Sequence, residues 1–233
     1  MALVEHSDYI ENLKNNLEEM YKKYYIGKDG HCKYFNECKK RVDAEPCKFS
    51  SDKAMVGEKY GSDSSVPKIV FVGLEGLNKE DCRLDANRNV EEIINTSHKV
   101  YNPHYKGVRY ALAYLLKGIA NESQPQNALK KILENYNETT KYHALLNCYK
   151  CAFSNKSQGL THTNEMKEHC QELLFKEIEI LKPDIVVFQA INGRPKDFES
   201  NLENVFGEGQ QISGEANDKK QLLIYFILNL INR

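Results

Sequence analysis

The sequence has almost no net charge and lacks long apolar segments. Its 32 Lys and Arg residues are balanced by 33 Asp and Glu residues. This balance argues against a strongly basic protein that coats nucleic acid, although a local basic cleft would still suit DNA. The longest apolar run, Leu222 to Leu228, is too short to cross a bilayer. Residues 1–20 have early acidic residues and no apolar core typical of a signal peptide. We expect a cytoplasmic protein without a membrane partner.

A length of 233 residues suits one domain with a sizeable core. Short β-branched and apolar runs predict four buried strands, and helical spacing of apolar residues predicts helices between them. The strand patterns lie in 67–73, 143–153, 184–190 and 221–228, and the helical patterns in 8–25, 91–94, 105–120, 127–136, 163–181 and 195–205. This alternation predicts an α/β fold, a three-layer sandwich with a central, mostly parallel four-stranded sheet.

Three segments show no regular pattern. Residues 26–66 are rich in Gly, Lys, Asp and Ser and are expected to be an irregular segment tied by a metal. Residues 155–165 are expected to form a surface loop, and residues 206–218 a turn-rich connection. We therefore predict a single domain over 1–233, in which 1–66 comprise an N-terminal helix and a cysteine-rich metal-binding segment.

The chain has seven cysteines, an odd number. In a reducing compartment, clustered cysteines more often indicate metal or redox chemistry than disulfides. Six of them fall into two neighbourhoods: Cys32, Cys38 and Cys47, then Cys148, Cys151 and Cys170. Cys82 stands apart and is expected to be an ordinary thiol.

Three segments together resemble the uracil-DNA glycosylase superfamily, and most closely its iron–sulphur branch of the family-four type. KIVFVGLEGLNKED (68–81) resembles a strand followed by V-G-E-x-P-G-x-x-E-D. LNCYKCAF (146–153) resembles T-N-x-x-K-C-R-P, and EHCQELLFKEIEILKPDIVVFQA (168–190) resembles the helix and strand that follow it. CKFSSDKAMVGEKYG (47–61) resembles the segment after the second N-terminal cysteine of that branch.

The resemblance implies a 4Fe–4S cluster, which needs four converging thiolates. By position the ligands are Cys47, Cys151 and Cys170, with Cys38 favoured as the fourth and Cys32 in reserve. The usual C-x-x-C at the N-terminus is absent because position 44 is Ala. Tetrahedral zinc is the alternative metal, since Cys148 and Cys151 form a C-x-x-C pair. Cys148 is therefore a second reserve ligand, or else a buried thiol without metal.

The resemblance also implies a base-binding site. Asn147 would read the base edge with its amide, Tyr105 in NPHYKG would stack on the base, and the backbone around Gly73 would contact it. Glu75 and Asp81 are the candidate catalytic carboxylates, which would orient water or offset oxocarbenium charge. Each of these residues also has an ordinary interpretation, as a strand cap, a packed ring or a solvated carboxylate.

Alternatives remain for two of these roles. His104 is the alternative stacking residue, and Glu80 the alternative carboxylate. Lysines and arginines flank the cysteines and form either a phosphate-facing patch or a solvated face: Lys39, Lys40, Arg41, Lys48, Lys150 and Lys156.

One family motif is missing. The family carries His-Pro-Ser after its last strand, and in this chain Asn229 is the only polar residue in the corresponding stretch. The resemblance implies a monomeric DNA glycosylase that releases uracil or another modified pyrimidine from single- or double-stranded DNA, in repair or in defence against modified foreign DNA. The missing His favours a second hypothesis, a catalytically degenerate module that binds nucleic acid or a partner. An unrelated α/β metal protein is a third.

Overall fold

A computed structural model describes residues 2–24, 32–40, 45–46, 53–62, 67–73, 140–150, 153–155, 159–161, 164–189, 210–216 and 220–226. Its helices are α1 (Ala2–Tyr24), α2 (Phe35–Lys40), a short 3₁₀ turn (Thr140–Tyr142) and α3 (Asn164–Leu181). Its strands are β1 (Glu45–Pro46), β2 (Met55–Val56), β3 (Ile69–Gly73), β4 (His143–Asn147), β5 (Phe153–Asn155), β6 (Gly159–Thr161), β7 (Ile185–Gln189), β8 (Gln210–Ala216) and β9 (Lys220–Phe226). None of these described helices combines the length and the apolar composition needed to cross a membrane.

Both long helices form around the segments with helical spacing, although α1 begins at Ala2, six residues before its predicted start. In α1, apolar side chains recur every three or four residues and are buried, from Ile10 through Leu17 to Tyr21. The helix α3 ends at Leu181, as predicted. Lys182 adopts a left-handed backbone with φ of 46°, and its N–H donates to the carbonyl of Ile178 at 2.9 Å. Pro183 follows and cannot continue the helix.

The main sheet has six strands in the order β2-β4-β3-β7-β9-β8. Its centre is parallel: β3 pairs with β4 on one side and with β7 on the other. The remaining pairs, β2 with β4, β7 with β9 and β8 with β9, are antiparallel. A separate three-stranded sheet has the order β1-β5-β6.

Several sequence predictions of the fold are corrected by this topology. The four predicted strands exist as β3, β4, β7 and β9, but the sheet is mixed rather than mostly parallel and has six strands. The predicted turn-rich connection contains β8, and the predicted surface loop contains β6. The segment predicted to be irregular contains α2, β1 and β2. The helices predicted at 91–94, 105–120, 127–136 and 195–205 lie outside the described residues.

The core lies between the two long helices and one face of the sheet. The buried cluster joins α1 and α3 to alternate residues of the central strands, including Val70, Val72, Leu146 and Phe188. The other face of the same strands is buried as well, since Phe71 and Val187 have no exposed surface. Strands covered on both faces are typical of parallel α/β sheets, and both faces therefore pack against other parts of the chain.

Truncating the centre of α3 tests this packing. Leu174 is fully buried in the cluster that joins both helices to the sheet. We expect Leu174→Ala to lower the free energy of unfolding by about 2–5 kcal/mol, because lost burial and a residual cavity add. Urea denaturation measures the change. Lys176→Ala, at an exposed position two residues along the same helix, should change it by less than about 0.5 kcal/mol. Equal effects of the two variants would contradict the packing described.

Candidate metal centre and base-binding edge

Two predicted base-binding residues lie side by side at one edge of the sheet. Gly73 is the last residue of β3, and its register partner in the parallel pair is Asn147, the last residue of β4. The chain continues from that edge through Cys148, whose N–H donates to the carbonyl of Gly73 at 2.8 Å. The structure thus places Gly73 and Asn147 together, with Asn147 only partly buried.

The same edge is the point where the direction of the chain across the sheet reverses. The chain passes from β3 to β4 on one side, and then from β4 back across β3 to β7 on the other. In open α/β sheets, ligands bind outside the carboxyl ends of strands at such a reversal. The ends of β3 and β4 therefore have the topological setting of a ligand site.

Two cysteines, Cys38 of α2 and Cys170 of α3, lie at one corner of the fold, the cysteine corner, where Cys38 contacts Met166 and His169 of α3. Cys38 of α2 and Cys170 of α3 are 1% and 3% exposed, and Cys32 is also buried. Burial, followed by the neighbouring Cys170 and Cys32 thiols, raises the pKa of the Cys38 thiol to about 12. A cation would displace the thiol protons, because metals bind cysteine as thiolate.

The small three-stranded sheet pairs described residues that lie close in sequence to Cys47 and Cys151. Pro46 of β1 is the register partner of Phe153 of β5. Cys47 follows Pro46 directly, and Cys151 lies two residues before Phe153. Lys150, the residue before Cys151, donates its backbone N–H to Sγ of Cys170 at 3.4 Å. The described contacts thus bring Pro46 to Phe153, and Lys150 to Cys170.

Aromatic and charged side chains line the outer side of this cysteine corner. Glu172 accepts hydrogen bonds from the hydroxyls of both Tyr24 and Tyr34. The ammonium of Lys33 lies over the two rings, 4.2 Å from the centroid of Tyr24 and 4.6 Å from that of Tyr34. His169 stacks on Tyr34 with ring centroids 3.9 Å apart. The group ties α1, residues 32–40 and α3 together around the thiols.

His169 also borders the thiol of Cys38. Its Nδ1 lies 3.9 Å from Sγ of Cys38, and its Nε2 lies 3.8 Å from a carboxylate oxygen of Glu37. The ring is 23% exposed, and it therefore separates the Cys38 thiol from solvent. The sequence motifs gave no sign of this residue; its one signal was its position next to Cys170.

The described cysteines have the chemical character of ligands for a soft metal, although two of the four predicted ligands lie outside the described residues. Cys32, Cys38 and Cys170 are buried and form no disulfide, and soft thiolates suit iron–sulphur clusters and zinc. Cys148 differs, because it is only partly buried and packs against the main core between the helices and the sheet. Among the residues that the structure describes, no three Cys, His, Asp or Glu side chains form a group able to hold a metal ion. Cys47 and Cys151, two of the four predicted ligands, lie outside those residues.

Lys150 does not belong to the predicted basic patch. It is 1% exposed, and its Nζ contacts Oε2 of Glu177 at 2.6 Å. An ammonium buried with a carboxylate cannot face a phosphate. Lys39 and Lys40 are exposed as predicted, and Arg41, Lys48 and Lys156 lie outside the described residues. The signal for the pair was Glu177 itself, an acidic residue at a core-facing position of α3.

The direction of β9 bears on the missing His motif. Phe226, at the end of β9, is the partner of Ile185, at the start of β7. The chain therefore leaves β9 at the amino edge of the parallel strands, which lies a strand length of about 13 Å below the carboxyl edge that holds Gly73 and Asn147. Asn229, in place of the family His, lies outside the described residues, but the strand that precedes it leads to the opposite edge. The start of β9 lies at the carboxyl edge instead, where Leu222 pairs with Gln189.

The remaining predicted site residues lie outside the described part of the chain: Glu75, Glu80, Asp81, His104 and Tyr105. The stacking residue and the catalytic carboxylates therefore stay predictions. Cys82, predicted to be an ordinary thiol, lies outside it as well.

Comparison with known proteins gives no further guide. No protein-family model matches the chain, and neither does any curated protein or any solved structure. A function for this chain consequently depends on its motifs and on the geometry of its described residues.

Proposed function

We propose that the chain is a DNA glycosylase of uracil-DNA glycosylase type, which hydrolyses the N-glycosidic bond of uracil or another modified pyrimidine. In this proposal the domain is a three-layer glycosylase-like sandwich, and an iron–sulphur cluster bound by cysteines supports the site. The burial of both sheet faces is consistent with three layers. The observation that carries the proposal is the pairing of Gly73 with Asn147 at the carboxyl edge of the sheet. Lys150, three residues after Asn147, contacts Cys170 and so links this edge to the cysteines.

The geometry suits recognition of a base taken out of the DNA stack. A glycosylase holds the extruded base in a pocket and reads its Watson–Crick edge by hydrogen bonds. The amide of Asn147 offers one donor and one acceptor group for that edge. Its neighbour Gly73 has no side chain, so the base would approach the backbone closely. In the family, a His after the last strand stabilises the negative charge on the released base. Here the chain after β9 starts from the opposite edge of the sheet, so other groups near Asn147 would have to stabilise that charge. This change favours a base other than uracil.

The metal centre has a structural role in the proposal. The cysteines lie on α2, on α3 and in the segment after β4, which are distant in sequence. A cluster bound by them would fix that segment, and with it the position of Asn147. Removing iron is therefore expected to reduce base release by disordering the reader rather than by removing a reacting group.

Asn147 provides the test of the base reader. We expect Asn147→Ala to reduce the rate of base release by about a hundred- to a thousand-fold, comparable to the loss of one preorganised hydrogen-bonding group. The protein should remain folded, because Asn147 lies at a strand end and is partly exposed. Single-turnover release of the base, read as alkali-sensitive sites in labelled DNA, measures the effect.

Asn15→Ala is the matched control for this variant. Asn15 is an exposed amide on α1, away from the ends of β3 and β4, and its loss should leave the rate unchanged. If Asn147→Ala released the base at the same rate as the Asn15→Ala control, the proposed role of Asn147 would be contradicted. The wild-type protein should be assayed on a panel of uracil-containing and modified DNA, in single and double strands. Absence of abasic sites across the whole panel would count against the enzyme.

The direction of β9 favours one alternative, a degenerate glycosylase fold that binds nucleic acid without catalysis. The segment that would carry the leaving-group His starts at the wrong edge. Saturable binding of the same DNA panel without base release would identify this function. Release of any one base above the rate without protein would exclude it.

A further inference from the structure

A fully buried ion pair lies directly behind the cysteine corner. The side chains of Lys150 and Glu177 have no exposed surface, and their Nζ and Oε2 atoms are 2.6 Å apart. The other carboxylate oxygen, Oε1, accepts from the hydroxyl of Tyr21 at 2.6 Å. That hydroxyl accepts in turn from the backbone N–H of Ala54 at 2.6 Å. The network joins α1, residues 53–62, the segment after β4 and α3.

Stability alone does not explain such a pair. Removing two charges from water is costly, and an apolar pair of similar volume is often as stable or more stable. The surrounding core is apolar and would accommodate such a pair. Unlike an apolar contact, an ion pair fixes the alignment of the two segments that carry it. The ammonium and the carboxylate must meet, and they can do so in only one register of the two segments.

The segment after β4 is attached to α3 at two points. At the first, the backbone N–H of Lys150 contacts Sγ of Cys170. At the second, its side chain reaches Glu177, which lies seven residues further along the helix. Seven residues are two helical turns, so Cys170 and Glu177 lie on one face of α3, about 10 Å apart along its axis. Two contacts at this separation fix both the position and the direction of the segment on the helix.

We propose that the Lys150–Glu177 pair is a positioning device for the proposed metal centre, and that it holds the segment ending at Lys150, the residue before Cys151, against Cys170 on α3. This inference rests on the proposed iron–sulphur site. Lys150 and Glu177 act through the cysteines and are positioning residues. Tyr21 orients the carboxylate by occupying its second oxygen.

A test on iron-free protein separates this inference from the proposed function. The double variant Lys150→Met with Glu177→Leu removes both charges and so leaves no unpaired buried charge. Iodoacetamide alkylation followed by peptide mass spectrometry reads each cysteine separately. We expect Cys170 to react about tenfold faster than in wild type, because local opening is no longer opposed by the second attachment. Cys38 should keep its wild-type rate, because it packs on Met166 in a separate cluster.

A second measurement uses protein reconstituted with iron and sulphide under anaerobic conditions. The cluster of the folded double variant should be lost to a chelator about tenfold faster than that of wild type. Lys176→Met is the control, since it breaks an exposed pair with Glu179 on the same helix. If the pair only stabilised the fold, the double variant would have a lower melting temperature, and alkylation of Cys170 and of Cys38 would be accelerated equally.

The outcomes are distinguishable. Wild-type alkylation of Cys170 in the folded double variant would overturn the positioning role, whatever the metal content. Equal acceleration of Cys170 and Cys38 would overturn it too. A third outcome combines faster alkylation of Cys170 alone in the double variant with a wild-type protein that takes up no iron. That outcome would support the positioning of Cys170 by the pair and would reject the proposed metal centre.

Discussion

Replacing Lys150 by Met is expected to lower the free energy of unfolding by about 3–5 kcal/mol. The substitution leaves the carboxylate of Glu177 buried without its ammonium partner, and the hydrogen bond from Tyr21 does not offset that loss. Such a cost is a large share of the stability of a typical domain, about 5–15 kcal/mol. Chemical denaturation of the iron-free protein measures it without interference from metal binding.

The matched control is Lys176→Met, which removes an ammonium from an exposed pair on the same helix. Exposed pairs contribute about 0–1 kcal/mol, so this variant should unfold almost as wild type does. Adding Glu177→Leu to Lys150→Met should restore most of the lost stability, because the unpaired charge is gone. A loss below about 1 kcal/mol for Lys150→Met would show that the pair is not buried as described.

The second large effect is expected for Cys170→Ala, which should abolish the metal centre. Cys170 is the one predicted ligand whose described contacts include both a neighbouring thiol and the segment before Cys151. Three thiolates do not complete the four that a 4Fe–4S cluster requires. Iron content and visible absorption after anaerobic purification measure the loss. The fold should survive, since the change removes one small side chain from a chain with a large core.

Cys148→Ala is the control for this variant. Cys148 packs against the main core and not with Cys38, so its loss should leave the iron content unchanged. Loss of iron in Cys148→Ala with retention in Cys170→Ala would reverse the ligand assignment. It would also favour the C-x-x-C pair of Cys148 and Cys151 as the metal-binding unit.

The sequence predicts the centre of the fold because its strands are short, continuous apolar runs. IVFV in β3 and IVVF in β7 are buried on both faces, and only strands inside a sheet satisfy that pattern. The strand β8 was missed because QQISGEA is polar and contains Gly, as an edge strand can be. The direction of β9 could not be predicted, since an apolar run does not indicate whether the strand lies parallel or antiparallel to its neighbours. Its orientation is set by the hairpin with β8.

The candidate site was predictable to a similar degree. The pairing of Gly73 with Asn147 follows from two adjacent parallel strands ending together. The burial of Lys150 was missed because a lysine beside a cysteine in a polar segment suggests a surface. Its partner Glu177 is distant in sequence, and such a pair becomes visible only when α3 is packed against the sheet. Local patterns specify elements, whereas the pairing of buried charges depends on tertiary contacts.

The central proposal is that the buried cysteines Cys38 of α2 and Cys170 of α3 hold one iron–sulphur cluster together with Cys47 and Cys151. Anaerobic purification followed by metal analysis and a visible absorption spectrum tests it most directly. We predict a brown protein with about four iron atoms per chain. A colourless protein that carries zinc, or no metal after reconstitution with iron and sulphide, would contradict the claim.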